Sequence, residues 1–196
     1  MSPRLSTRDL ITIGIFSAVY LVGYVILSSV LFTPWLFILL LPVGALLMGP
    51  VYLLFVARTQ TPFAITTMGL LAALIAGLLV YGNVLIAVVN LGVAVIADAI
   101  AFAGRYRNLT LNVVSYVVMS FWVVGQVGPM WVARDWWRDL TVNSGYSADF
   151  ADGSLDLATP LTLTILVAAT IAAALVSSFA ARNMLDRHFR RAGLVE

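Results

Sequence analysis

Residues 83–104 read NVLIAVVNLGVAVIADAIAFAG, with Gly82 before them and Arg105-Tyr106-Arg107 after. The stretch exceeds the about 20 residues that a helix needs to cross a hydrocarbon core about 30 Å thick. Its one ionisable side chain is Asp98, and Val, Ile, Leu and Ala fill most other positions. A helix built from it has no face polar enough for water. In a bilayer the same helix satisfies its own backbone hydrogen bonds and exposes side chains that belong there.

Working outward, five more apolar segments have this character, at 10–32, 35–57, 62–81, 109–132 and 159–181. With 62% hydrophobic and 10% charged residues, and a mean hydropathy of +1.02, the chain lies far from the about 25% charge of soluble domains. Residues 1–196 therefore read as a single all-α membrane domain, a polytopic bundle of six transmembrane helices. The segment 10–32 follows Arg4 and Arg8 but is too long for a signal-peptide core, so it reads as a retained first span. Turn residues separate the spans: Thr33-Pro34, Arg58 to Pro62, Tyr81-Gly82-Asn83 and Arg105 to Asn108. One connection, 133–158, is long, rich in Asp, Gly and Ser, and holds Trp136, Trp137 and Tyr146. Loops of that length are functional or disordered, and the aromatic residues favour function.

Every basic residue is an arginine. With six spans, one side of the membrane holds Arg4, Arg8, Arg58, Arg105, Arg107, Arg182, Arg187, Arg190 and Arg191, against Arg134 and Arg138 opposite. The positive-inside rule then makes both termini cytoplasmic and the 133–158 loop external, and the expected location is the cell membrane.

Several polar groups stand out against this background. Asp98 is an intramembrane carboxylate, read either as a proton or cation site or as a structural group paired with Arg105 or a neighbouring arginine. Asn83 and Asn90, seven apart on one helix face, together with Gln126 and Tyr81, can line a neutral hydrogen-bonding pocket or can simply bond helix to helix. Trp131, Arg134, Asp135, Trp136 and Trp137 cluster at the outer interface, either as a membrane anchor or as a lid able to stack on a planar ligand. Small residues recur at four-residue spacing, as Gly14 and Ala18, as Gly69, Ala73 and Gly77, and as Ala169 and Ala173. Such stripes let backbones approach closely.

The sequence holds no cysteine and no lysine, and its one histidine, His188, lies in the charged tail. No phosphate loop, zinc-protease helix, nucleophile elbow or clustered metal ligands are found, so an enzyme, a self-powered ATPase, a resident cofactor and a metal cargo are not expected. The tail arginines are better explained by topology than by nucleic acid.

Thr7-Arg8-Asp9-Leu10 leading into Gly14, Met48-Gly49-Pro50, the Arg134 to Trp137 segment with Tyr146 and Ala151, Ala158-Thr159-Pro160, His188-Phe189 and Arg191-Ala192-Gly193 form a further pattern. In these stretches the chain resembles an S-component of an energy-coupling factor (ECF) transporter, and more narrowly the Trep_Strep membrane family, also described as MptD-type S-components. The resemblance implies a subunit that captures a small, vitamin-like micronutrient outside, and that works with a transmembrane T-component and two cytoplasmic ATPases. It also implies that Gly14 and Ala18 correspond to an Ala-x-x-x-Ala docking surface for the T-component. The solute would sit in the outer half, among Tyr81, Asn83, Asn90, Gln126, Trp131, Arg134, Asp135, Trp136 and Trp137. Membrane lipid is the remaining partner. Two other classes fit the composition: a self-sufficient channel or secondary transporter, for which no internal repeat is found, and a scaffold subunit without a ligand.

Overall fold

The computed structural model describes residues 7–30, 33–80 and 82–191, and every regular element among them is a helix. They are α1 (Thr7–Val30), α2 (Pro34–Ile38), α3 (Leu40–Thr59), α4 (Ala64–Ala73) continued by a π-helical stretch (Leu74–Val80), α5 (Val84–Ala103), α6 (Leu109–Met119), α7 (Val124–Val127), α8 (Pro129–Val132), α9 (Arg134–Asn143), α10 (Ala148–Leu157) and α11 (Pro160–Arg191).

Five stretches are long and apolar enough to cross a membrane: Asp9–Leu27, Leu40–Thr59, Val84–Ala103, Leu109–Val127 and Pro160–Arg182. The expected third span is shorter than the sequence suggested. Its apolar helix, Ala64–Leu79, reaches only about 24 Å at 1.5 Å per residue, below the about 30 Å of hydrocarbon. Left-handed backbone at Phe63 (φ 67°) before it and at Gly82 (φ 58°) after it cuts it to that length.

Direction follows from the contacts. Phe16 meets Phe55, with ring centroids 5.5 Å apart, and Gly23 seats against Met48, so α1 and α3 run antiparallel. Gly69 lies against Ala94 and Gly77 against Ala87, which sets α4 and its π continuation antiparallel to α5. A Cβ at either glycine would collide with α5, so this small-residue stripe serves internal packing. Helix α11 packs along α3. The turns at 60–63 and 104–108 thus share one end of the bundle, here the arginine end, and α2 and α7 to α10 occupy the other, the loop end.

One contact between α3 and α11 shows how the sequence solves a membrane problem. Pro50 has no N–H, so the Leu46 carbonyl one turn earlier lacks its usual helical donor. Ser177 Oγ of α11 donates to that carbonyl at 2.6 Å. Gly49 makes room for it, because a Cβ there would strike the Ser177 hydroxyl. Nearby, Ser115 Oγ donates to Ala97 O at 2.6 Å, which leaves Tyr52 as the donor in its 2.6 Å bond to Ser115.

The long connection is folded. Ser147 caps α10 by accepting from Phe150 N at 3.1 Å. Arg134 closes the far end, donating to Leu155 O at 2.7 Å and Ala158 O at 3.1 Å. Phe150 and Trp137 pack on Phe37 of α2, with centroids 5.5 and 6.4 Å away, so α9 and α10 form a cap over the loop end.

Candidate functional site: an interrupted helix beneath a cap

The apolar stretch Leu109–Val127 is not one helix. After α6 ends at Met119 the backbone tightens into i→i−3 bonds, Phe121 N to Val118 O and Trp122 N to Met119 O, both 3.0 Å, before α7 begins. Backbone this irregular is tolerated at membrane depth only where protein buries it. Helix α5 provides that burial, and Gly125 allows the approach. A Cβ on Gly125 would stand 2.7 Å from Asn90 Oδ1 and 3.0 Å from Ile86 O.

With glycine there, Gly125 N donates to Asn90 Oδ1 at 3.1 Å, and Asn90 Nδ2 donates to Gln126 Oε1 at 2.9 Å. Trp137 of the cap adds its indole N–H to the Gln126 carbonyl at 2.7 Å. Of the residues named from the sequence, Asn90, Gln126 and Trp137 are therefore brought together. The network also fixes the amide orientation, since turning Gln126 over would set its NH2 against that of Asn90. Gln126 Nε2 is left with no partner although the residue is only 2% exposed. Orphan buried donors are rarer than under-satisfied acceptors, because a carbonyl oxygen has a second lone pair to spare. Two further buried atoms lack partners among the described residues, Ser17 Oγ in α1 and the acceptor Asn112 Oδ1 in α6.

The other expected residues lie apart from this network. Asn83 caps α5, its side chain accepting from Leu85 N at 2.9 Å and Ile86 N at 3.2 Å. Trp131 donates to Thr159 O at 2.8 Å at the protein surface, the position of an interfacial anchor. Arg134 is engaged as the α10 cap, Asp135 is exposed in the first turn of α9, and Trp136 is half-buried against the core. Tyr81 lies outside the described residues.

On the opposite face of the interruption lie Tyr20 and Tyr24, polar groups that the sequence shows within a span, and Trp122, which sequence reasoning missed. There Trp122 meets Tyr20 and Tyr24 edge-on, with centroids 5.9 and 4.7 Å apart, beside Ser120 and Met48. They line a cavity of about 10 Å³, room for about one water. Its signal in the sequence was the four-residue spacing of Tyr20 and Tyr24.

Asp98 corrects an expectation. Among the described residues it has no arginine partner; it accepts from Thr66 N at 2.9 Å, Thr66 Oγ1 at 2.7 Å and Tyr106 Oη at 2.7 Å. Thr66 belongs to the first turn of α4, so the carboxylate sits where free N–H groups and the helix dipole favour negative charge. Arg105 does not compete, because its left-handed backbone (φ 51°) leaves its side chain exposed. Burial, and then the bond to Asp98, push the Tyr106 hydroxyl well above the usual phenol range. No group of three or more potential metal-ligating His, Cys, Asp or Glu side chains occurs among the described residues.

Gly14 and Ala18 are exposed on α1, and a Cβ on Gly14 would meet nothing within 4 Å. Unlike the Gly69 and Gly77 stripe, this one faces outward.

The features together define a multi-pass helical membrane protein with an interrupted span and a folded cap. The chain belongs to the Trep_Strep family, described as hypothetical bacterial integral membrane proteins, whose pattern matches residues 7–191. No curated protein and no solved structure matches it.

Proposed function

We propose that this chain is the S-component of an ECF-type transporter, a membrane subunit that captures a small solute from outside for uptake driven by partner ATPases. The observation that carries the reading is the unpaired Gln126 amide, buried beside Asn90 in an interrupted helix and beneath the Trp137 cap. Interrupted membrane helices concentrate polar backbone and side chains where transporters hold their substrates. A free donor among neutral amides and aromatic rings suits an uncharged, planar, vitamin-like solute that presents a hydrogen-bond acceptor. It does not suit a metal ion, which calls for carboxylates or imidazoles.

The topology in this reading is six crossings, the short α4 being the third, with both termini in the cytoplasm of a cell-membrane protein and the α9–α10 cap outside. The outward-facing Gly14 and Ala18 then supply a close-approach surface for a T-component, and two ATPases complete the assembly. Purification from native membranes tests it. A T-component and two ATPases should copurify, and mass spectrometry of the released small molecules should find one neutral heterocycle at near-stoichiometric amount. Purification of the chain alone and empty rejects the reading, and recovery of a metal ion alone rejects the solute class.

A further inference from the structure

At the arginine end, two turns are held side by side. Tyr106 reaches back to Asp98, Asp98 holds Thr66 at the start of α4, and Arg107 Nε donates to Gln60 Oε1 at 3.2 Å. The non-glycine residues with positive φ among the described residues, Gln60, Phe63, Arg105 and Tyr106, all fall in these two turns. L side chains adopt that conformation rarely. Here it turns Tyr106 inward and leaves Arg105 and Arg107 exposed, alongside Arg58 in the last turn of α3. Among the described residues none of these three arginines is in an ion pair. Phe63 and Phe102, 67% and 56% exposed, flank them.

We propose that Arg58, Arg105 and Arg107, with Phe63 and Phe102, form a binding site for an anionic phospholipid, its phosphate on the guanidinium groups and its upper acyl chains against the rings. Guanidinium groups pair with phosphate oxygens through parallel charge-assisted hydrogen bonds. The depth favours a lipid over a free anion. Arg58 is the last residue but one of the stretch Leu40–Thr59, and Arg105 and Arg107 lie between Val84–Ala103 and Leu109–Val127, at the level of headgroup phosphates. The exposed rings would have no use to a soluble phosphate. This site is independent of the solute-capture reading.

The test uses the full-length protein in nanodiscs of phosphatidylcholine with a minor fraction of phosphatidylglycerol, reading the lipids retained after detergent extraction by native mass spectrometry. Wild type should retain phosphatidylglycerol well above its share of the disc. R105Q/R107Q should lower that preference by about fivefold per arginine, about 25-fold for the pair. R138Q, at the opposite end, should leave it unchanged, and R58Q gives a second reading should the double variant fail to fold. Equal retention of both lipids by wild type overturns the proposal, as does full retention by folded R105Q/R107Q or by R58Q. Displacement of the lipid by inorganic phosphate overturns it in favour of a free-anion site.

Discussion

Helix α5 carries two buried polar residues, Asp98 towards the arginine end and Asn90 towards the loop end, and their surroundings are opposites. The charged one is fully held, by the backbone N–H and hydroxyl of Thr66 at the start of another helix and by the Tyr106 hydroxyl in the turn that follows α5. The neutral one stands in a network that ends on an unpaired donor. An ionisable group within a membrane is by default a functional suspect. Here the comparison reverses the default: the charge fastens α4 to α5, and the amide pair keeps a group in reserve.

That contrast can be broken most forcefully at Asp98. Asp98→Ala leaves Thr66 N, Thr66 Oγ1 and Tyr106 Oη without their acceptor, at about 1–3 kcal/mol for each group that stays dry. A net loss of about 3 kcal/mol lowers the unfolding temperature in detergent by about 6–12 °C. Solute recovered from the surviving folded fraction should be unchanged; its disappearance would return Asp98 to the list of functional groups.

A smaller effect is expected at Gly125→Ala. The added Cβ presses on Asn90 Oδ1 and Ile86 O, forcing α7 away from α5 at a cost of about 1–3 kcal/mol. Solute retention should fall with it, which separates this variant from Asp98→Ala in a paired thermal-shift and mass-spectrometric measurement.

The sharpest form of the comparison has a still smaller effect on stability. Replacing both Asn90 and Gln126 by Leu removes the amide pair together; the Gly125 N–H loses its acceptor, but the unpaired Gln126 Nε2 is removed too, and one orphan donor offsets the other, so stability should change by less than about 1 kcal/mol. Solute should nevertheless be lost. A double variant that still binds would show that these amides serve packing alone.

The smallest effect belongs to the cap. Arg138 donates to Asp152 at 2.5 and 2.9 Å, and this holds the Asp152 carboxyl below its usual range. A depressed carboxylate contributes above its unfolded value, about pH 4, and loses that contribution as pH falls through the depressed folded value. Protease sensitivity of the cap should therefore rise in wild type below about pH 4. In Asp152→Asn it should be slightly raised already at neutral pH and vary less with acid; identical profiles would remove the pair from any account of the cap.

Much of the fold could be read from the sequence because membrane spans announce themselves by length and apolarity. Thr33-Pro34 and Arg105 to Asn108 mark turns where turns are found. The short third segment was not legible, because apolar residues continue to Val80 while the backbone widens into a π-helix that composition does not encode. At the site, Asn90 and Gln126 were identifiable as rare amides in apolar surroundings. Arg134 looked like a ligand group and is a helix cap, since the carbonyls it serves belong to a helix hidden in what read as a loop. Asp98 drew attention to arginines because charge suggests charge. Its actual partners are a hydroxyl eight residues on and the start of a helix that only the fold brings near.

The bond between Ser177 and Leu46 also has a timetable. The two residues are 131 positions apart, and ribosomes add about 5–20 residues per second, so about 7–26 s separate synthesis of the carbonyl from that of its donor. During that interval α3, with Pro50 at its middle, carries a bare polar group that hydrocarbon penalises. The last helix to be synthesised thus completes the hydrogen bonding of a span made long before it.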